Sequence, residues 1–558
     1  MKIFGVEKFK SLLLAGSFTV LANYVVRLSD SIIAGNMLGS EALAGVNLVC
    51  PCLAAISFLS GLISTGVATC YSLAMGRRDQ RRAREFFMQG IWSILIFGGV
   101  LAALLGFGRE WFLGYFHADA VTTGFARDYM KWIWLIAFAD CFETLFAALG
   151  YADGDSRLCM AAYGVIFVVN IVLSIVLVRC GWGTSGCAIA SVVASFVGVL
   201  VLSLHFLKKS NTFRPVLHCS MRDALRIFGS SFGDAAAFLC DGVLFFFINK
   251  FVIMNFGSEW LPIVGVVTAL WGFLEFFNGI GMAIQPIVTV YYGERNTRSI
   301  RSVMNSAMRW ALGEGLVFSV ICMVFPELAG KAVGITDPML IENSVIAVRL
   351  MSVGFVALSF AGLFNSYYMF IEKSALAGTV TFLSYLLMPI AAVATGALLG
   401  VNGVWLGLGV GPFLGLLVTS LVIMSVSDFG MYPLLLDRSR EAKLHVFDLV
   451  LSDTEIAAVS RKIGALEGVP MKAALMTEEV FMVVKDRAQG RKLLGEAVVD
   501  LNDGVELTLR DDGEIFDITD ADQQISSLRT FLVASMMQAH TGRMNLVTTG
   551  FNRNVFRF

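Results

Sequence analysis

Gly76–Arg84, which reads GRRDQRRAR, returns 217 residues later as Gly293–Arg301, GERNTRSIR. Arg78, Arg81 and Arg84 fall on Arg295, Arg298 and Arg301. At the same offset Gly183 and Gly186 fall on Gly400 and Gly403. At 218, Gly39-Ser40-Glu41 falls on Gly257-Ser258-Glu259. Three matches at nearly one offset mark an internal duplication. Around them lie apolar segments long enough to cross about 30 Å of hydrocarbon. Twelve are predicted, near residues 12–36, 43–74, 87–106, 129–149, 159–179, 187–207, 226–254, 262–291, 306–325, 344–370, 375–399 and 404–426. Six per copy insert both repeats in the same orientation, as two lobes related by an axis along the membrane normal. The expected fold is an all-α polytopic membrane protein of twelve transmembrane helices in two six-helix lobes.

Composition excludes the main alternatives. Of 558 residues, 57% are hydrophobic and 15% charged, whereas a soluble domain carries about 25% charge. Mean hydropathy is +0.74, more apolar surface than a soluble enzyme of this size can bury. A net charge of −1 gives no electrostatic case for nucleic acid. A phosphate-binding Gly-x-x-x-x-Gly-Lys-Ser/Thr loop is absent from the chain, which disfavours an ATP-driven pump. The ten cysteines, all before residue 241 except Cys322, lie mostly in apolar stretches and read as small buried residues. The apolar run beginning at Ser11 continues without a small-residue cleavage site, so it reads as a first span and not a leader.

Charge also divides the chain. Residues 427–558 hold 35 of its charged residues, about a quarter of that segment, as in a soluble domain. The expected organisation is a first lobe over 1–210, a second over 211–429, and a cytoplasmic domain over 430–558. Basic residues gather at the N-terminus (Lys2, Lys8, Lys10) and in the even-numbered connections: the arginines of the repeated motif, and Lys208, Lys209, Arg214, Arg222 and Arg226. The odd connections mix signs, as in Arg109, Glu110, His117 and Asp119. The positive-inside rule then places both termini in the cytoplasm, at the inner (plasma) membrane.

Ionisable groups in hydrocarbon cost at least about 2.5–3.5 kcal/mol, so each needs a reason. Acids outnumber bases in the predicted spans: Asp30, Asp140 and Glu143 in the first lobe, and Asp234, Asp241, Glu275 and Glu314 in the second. An acidic set suits a cation or proton pathway. Asp30 near a span end, Asp241, mid-span Glu275, and the pair Asp140 and Glu143 on one helix face are the candidates. Lobe packing and solvated helix ends are the alternative readings, and Asp234 and Glu314 fit those better.

The stretch Asp30–Val46, DSIIAGNMLGSEALAGV, resembles the first-span signature of the multidrug and toxic compound extrusion (MATE) transporters. Gly281–Gly293, GMAIQPIVTVYYG, resembles their eighth-span pattern. The similarity covers roughly residues 10–426. It implies export of organic cations or related amphipathic small molecules in exchange for H+ or Na+, with no enzymatic activity. It also implies a first-lobe cation site made of a first-span aspartate, an Asn-x-x-x-Asp pair on the fifth span and a threonine on the sixth. Asp30 and Asn170 match, and would be the Na+ ligands if Na+ is the ion. Ser174 stands where the second aspartate is expected, and Ser191 where the threonine is. Asp241 lies about two residues from the family's second-lobe carboxylate. Losing one carboxylate weakens a hard-cation site, which leans the expectation toward protons.

The tail reads as an α/β sandwich. Its strand His445–Leu451 is followed by a capping box at Ser452-Asp-Thr-Glu455 opening a helix to about Glu467. A second helix spans Lys472–Gln489, an Asn502-Asp503-Gly504 hairpin turn leads into the strand Val505–Arg510, and a helix over about 524–539 precedes strands 545–549 and 554–558. Thr477-Glu478-Glu479 and the loop Asp511-Asp512-Gly513 resemble the ATPase domain of histidine kinases and anti-sigma-factor kinases. The resemblance names Glu478, Glu479, Asp511 and Gly513 as nucleotide-site positions. The Mg2+-binding asparagine, a second loop glycine (Ile515 here) and the glycine-rich phosphate turn (Ser526-Ser527-Leu528) are replaced, which points to a regulatory domain without hydrolysis. Three readings follow: an antiporter whose tail regulates it or recruits a cytoplasmic protein, a transporter-like sensor signalling through a nucleotide-binding tail, and a lipid-linked saccharide flippase. No resident cofactor is expected.

Overall fold

A computed structural model describes residues 3–558 apart from 77–78, 153–154, 208–215, 217, 429–430, 489 and 514–551. The side chains of 14–16, 18–27, 234 and 273–275, among others, also lie outside it. The apolar part of the chain is helical. In order come α1 (Phe4–Leu38), α2 (Ser40–Gly76), α3 (Gln80–Ser93), α4 (Gly99–Phe116), α5 (Ala120–Met130), α6 (Ile133–Ala152), α7 (Ser156–Leu177) and α8 (Gly183–Ser203). Then follow α9 (Met221–Phe256), α10 (Leu261–Phe273), α11 (Asn278–Gly293), α12 (Thr297–Val324), α13 (Glu327–Ala332), α14 (Pro338–Ser352), α15 (Phe355–Phe370), α16 (Ser374–Thr381), α17 (Met388–Gly396) and α18 (Val401–Val426). Several are joined by single π or 3-10 turns, as at Ile94–Gly98 and Leu274–Phe277. Such bends are tolerated where neighbouring helices satisfy the freed backbone. Among the described residues, eight segments are long and apolar enough to span a membrane. The count is nine if the α14–α15 pair, bent by 46°, is one span.

The chain forms two compact units. One holds Ala15–Gly281 and Met308–Ile423, the other Met1–Leu14, Met282–Ala307 and Met424–Phe558. In the first, α2 runs against α9. The Ser231 hydroxyl donates to the Leu62 carbonyl at 2.6 Å, and a Cβ on Gly66 would lie 2.4 Å from the Ile227 carbonyl oxygen.

The duplication recurs in backbone geometry. Gly39 and Gly257 end their helices at φ 102° and 100°, and Gly183 and Gly400 sit at 56° and 87°, where L-residues are strained. These are glycines that the repeat picks out. Asp119 and Asp337, 218 residues apart, cap α5 and α14 through their carboxylates, each accepting a backbone N–H at 2.8 Å. On α18, Gly403, Gly407, Gly411 and Gly415 form a four-residue-spaced stripe. A Cβ at any of them would come within about 2.5 Å of the facing backbone, at Gly396, Ala392, Pro389 and Ser384. The same stripe on α8 is Gly186, Ala190, Ala194 and Gly198, at the 217 offset. Helices without a hydrophobic drive between them pack through small residues of this kind.

All ten cysteines are free, as their reading as small residues requires. Cys180 and Cys219 are exposed, however, because they fall in connections and not within helices.

The second unit contains the tail. Its four-stranded antiparallel sheet runs β1 (Leu444–Val450), β2 (Leu494–Asp500), β3 (Glu506–Asp511), β4 (Asn552–Arg557) in that order. Helices α19 (Asp453–Gly464) and α20 (Met471–Arg487) cover one face, closing a core around Leu449, Ile456, Phe481, Ala497, Val499 and Leu509. Ser452 caps α19 by accepting from Glu455 N, as the sequence predicts. The reciprocal bond of a capping box is displaced, for Glu455 accepts from Val450 N at 2.7 Å because the strand ends tightly against the helix. The expected helix near 524–539, strand 545–549 and turn 526–528 lie outside the described residues.

Candidate functional site

Four helices bring the first-lobe residues together. Ser29 and Asp30 come from α1, Asn170 and Ser174 from α7, Ser191 from α8 and Tyr129 from α5. Asn170 and Ser174 share one helix face through their four-residue spacing, and both are fully buried. Asp30 is 5% exposed. Its Oδ2 accepts from the Tyr129 hydroxyl at 2.7 Å and from the Ser191 hydroxyl at 2.8 Å. Asn170 Nδ2 donates to Ser191 Oγ at 2.9 Å, and the Ser29 hydroxyl donates to Asn170 Oδ1. Asp30 Oδ1 and Ser174 Oγ are buried without a hydrogen-bond partner among the described residues. Buried polar atoms are nearly always paired, so two orphaned oxygens in one network mark a place built to accept a proton or a cation.

Tyr129 is the residue that sequence reasoning missed. It opens the predicted span 129–149, and only the docking of α5 on α8 turns it toward Asp30. That docking is fixed by Thr184 and Ser185, whose hydroxyls donate to the Phe125 and Asp128 carbonyls at 2.7 Å each.

The remaining candidates do not join this network. On α6, Asp140 keeps a buried carboxylate oxygen with no hydrogen-bond partner, and Glu143 is buried beside α8, where a Cβ on Gly198 would lie 3.6 Å from its Cγ. On α9, Asp241 Oδ1 accepts from the Trp271 indole at 2.9 Å, a second carboxylate held inside an apolar bundle. The Asp234 and Glu275 side chains lie outside the described residues. In the tail, Asp511 Oδ1 accepts from Gly513 N at 3.0 Å and from Asn552 Nδ2 at 2.8 Å. Glu478 and Glu479 project from α20, half-buried. No three-residue group of His, Cys, Asp or Glu with metal-binding geometry occurs among the described residues.

A buried carboxylate network inside a duplicated bundle of membrane-spanning helices defines a membrane transporter rather than an enzyme. The chain belongs to the MatE family of multidrug efflux transporters. The MatE family model matches residues 16–176 and 236–394, one stretch in each repeat. The multidrug export protein MepA of Staphylococcus haemolyticus (strain JCSC1435) is 21% identical over 336 residues, 58% of this chain and 72% of that protein. Among solved structures, the inward-facing conformation of a multidrug resistance MATE family transporter of the MOP superfamily superposes with a TM-score of 0.65 at 21% identity. It covers 72% of this chain and 95% of that one. The MATE multidrug transporter DinF-BH, solved in complex with a rhodamine dye, matches with a TM-score of 0.63 at 20% identity, over 76% and 97%. These likenesses place the fold of the helical part. The protein is a multi-pass membrane protein.

Proposed function

We propose that the chain is a secondary active exporter of organic cations or related amphipathic compounds, driven by proton exchange at Asp30. The observation that carries this is the Asp30 network, where a single carboxylate is held by Tyr129 and Ser191 with one oxygen left open. One carboxylate with neutral hydroxyl and amide neighbours suits a proton better than a hard cation, which needs charged oxygens. Ser174, at the position of a second carboxylate, supports H+ over Na+. The dye complex of a relative supports an aromatic cationic class of cargo. The proposed topology is twelve spans, six per repeat, over 1–210 and 211–429. Both termini and the regulatory domain 430–558 lie in the cytoplasm of an inner-membrane protein, on the side where the repeated arginines gather. Asp241 on α9 is the proposed second-lobe contribution to the pathway.

The test uses purified protein in liposomes loaded with a cationic rhodamine dye under imposed gradients. Flux should follow a pH gradient and fall at least ten-fold in Asp30→Asn. Ser174→Asp should add a response to Na+, since it restores a second charged ligand. Flux that follows only Na+ in the wild type would refute proton coupling, and absence of flux under either gradient would refute export.

A further inference from the structure

The register of the tail sheet lines up four charged residues in one row across its strands. Asp448 pairs with Glu496, Glu496 with Arg510, and Arg510 with Arg553. Strand periodicity of two puts this row on the face opposite α19 and α20, because its neighbours Ala497 and Leu509 enter the helix-covered core. Left to itself the row is unfavourable. Two acids face each other at one end and two guanidiniums at the other, and like charges directly opposite across strands repel. Yet Glu496 and Arg510 are both fully buried.

The turn between α11 and α12 and the start of α1 complete the row. Glu294 of that turn pairs with both Arg510 and Arg553, placing an acid between the two guanidiniums. Tyr291 and Ser299, on either side of it, donate their hydroxyls to the Glu496 carboxylate at 3.1 Å, and the Arg510 guanidinium stacks 4.7 Å over the Tyr291 ring. Phe4 N, in the first turn of α1, donates to Asp448 Oδ1 at 2.7 Å, where an unpaired helix N–H favours an anion. At the rim Lys8 lies 3.7 Å from Asp512, Thr297 donates to Glu441 at 2.9 Å, and Arg301 pairs with Glu441. The tail's row thus lacks a compensating acid and a compensating N–H, and this chain's own turn and first helix supply them.

The two docked segments come from different repeats. Phe4–Lys8 opens the first, and Tyr291–Arg301 belongs to the second, overlapping its copy of the repeated motif. We propose that the charged face of the tail sheet is an autoinhibitory clamp: it binds the start of α1 and the α11–α12 turn together, and transport speeds up when the clamp lets go. This rests on the exporter reading, in which the repeats move against one another in each cycle.

The experiment compares full-length wild type with Glu294→Arg, with Glu441→Arg, and with the charge swap Glu441→Arg/Arg301→Glu. Each is measured by hydrogen exchange and by rhodamine flux in liposomes. Glu294→Arg sets a third cation beside Arg510 and Arg553, so exchange in both 3–14 and 291–301 should rise at least ten-fold and flux at least three-fold. Glu441→Arg should loosen 291–301 and raise flux, and the charge swap should return both to wild type. Unchanged exchange in Glu294→Arg overturns the docking. Faster exchange with unchanged or slower flux overturns the restraint. If no variant, nor the wild type, moves the dye, the exporter reading fails and the restraint with it, while exchange still decides whether the sheet holds the two segments together.

Discussion

Asp30 and Asp511 are both buried aspartates held by neutral donors, in two different settings. Around Asp30, legibility from sequence was high for the acceptor set and low for the donor that completes it. Asp30, Asn170 and Ser191 sit at motif positions, and helix periodicity puts Ser174 one turn from Asn170. Tyr129 carries no such spacing, because its contact depends on how α5 docks. In the tail, burial pushes the Asp511 carboxyl up to about 6, against hydrogen bonds from Asn552 and Gly513 that work to lower it. An acid whose value is higher when folded holds its proton more tightly in the folded state. Its contribution is therefore fully present below the ordinary carboxylate range and is lost as pH rises toward about 6. Hydrogen exchange of β2 and β3, corrected for intrinsic rates, should show the tail weakening by of order 2–3 kcal/mol between about pH 4 and pH 7. Asp511→Asn should flatten that dependence. An unchanged slope in the variant would assign it to another group.

Among the elements, α18 is tightly constrained by contact. Its glycine stripe lets α17 and the preceding π turn approach to backbone distance, and a Cβ on Gly411 would lie 2.5 Å from Pro389 Cα. Gly411→Leu should overpack that crossing and destabilise the protein by about 1–3 kcal/mol, read as a lower melting temperature and reduced yield in detergent. Gly313→Ala on α12, where a Cβ meets nothing within 4 Å, is the control and should leave melting unchanged. Equal loss in both would mean that helix propensity, not the close approach, matters. Part of this was readable in advance. The Gly183–Gly186 match to Gly400–Gly403 lies at the start of the two stripes, but four-residue spacing of small residues does not say which helix they face.

For the molecule as a whole, the orientation inferred from the arginines can be tested with the protein's own thiols. Cys180, in the connection between α7 and α8, and Cys219, just before α9, are the two exposed cysteines. They fall in successive connections, so they should emerge on opposite sides of the membrane. A membrane-impermeant maleimide should label Cys180 in intact spheroplasts and Cys219 in inverted vesicles. Labelling of both from one side would overturn the proposed topology.

The sequence by itself determined the class of this protein. Apolar length sets helices across a membrane, the 217-residue offset sets two repeats, and motif positions set Asp30, Asn170 and Ser191 as the site. These are local or periodic properties, and each is read from residues a fixed distance apart along the chain. Tertiary structure alone decided that Tyr129 donates to Asp30. It also decided that Asp448, Glu496, Arg510 and Arg553 form one row, and that Glu294 and the first turn of α1 complete it. Strand register and helix docking join residues tens to hundreds of positions apart, and no spacing in the sequence encodes which of them meet.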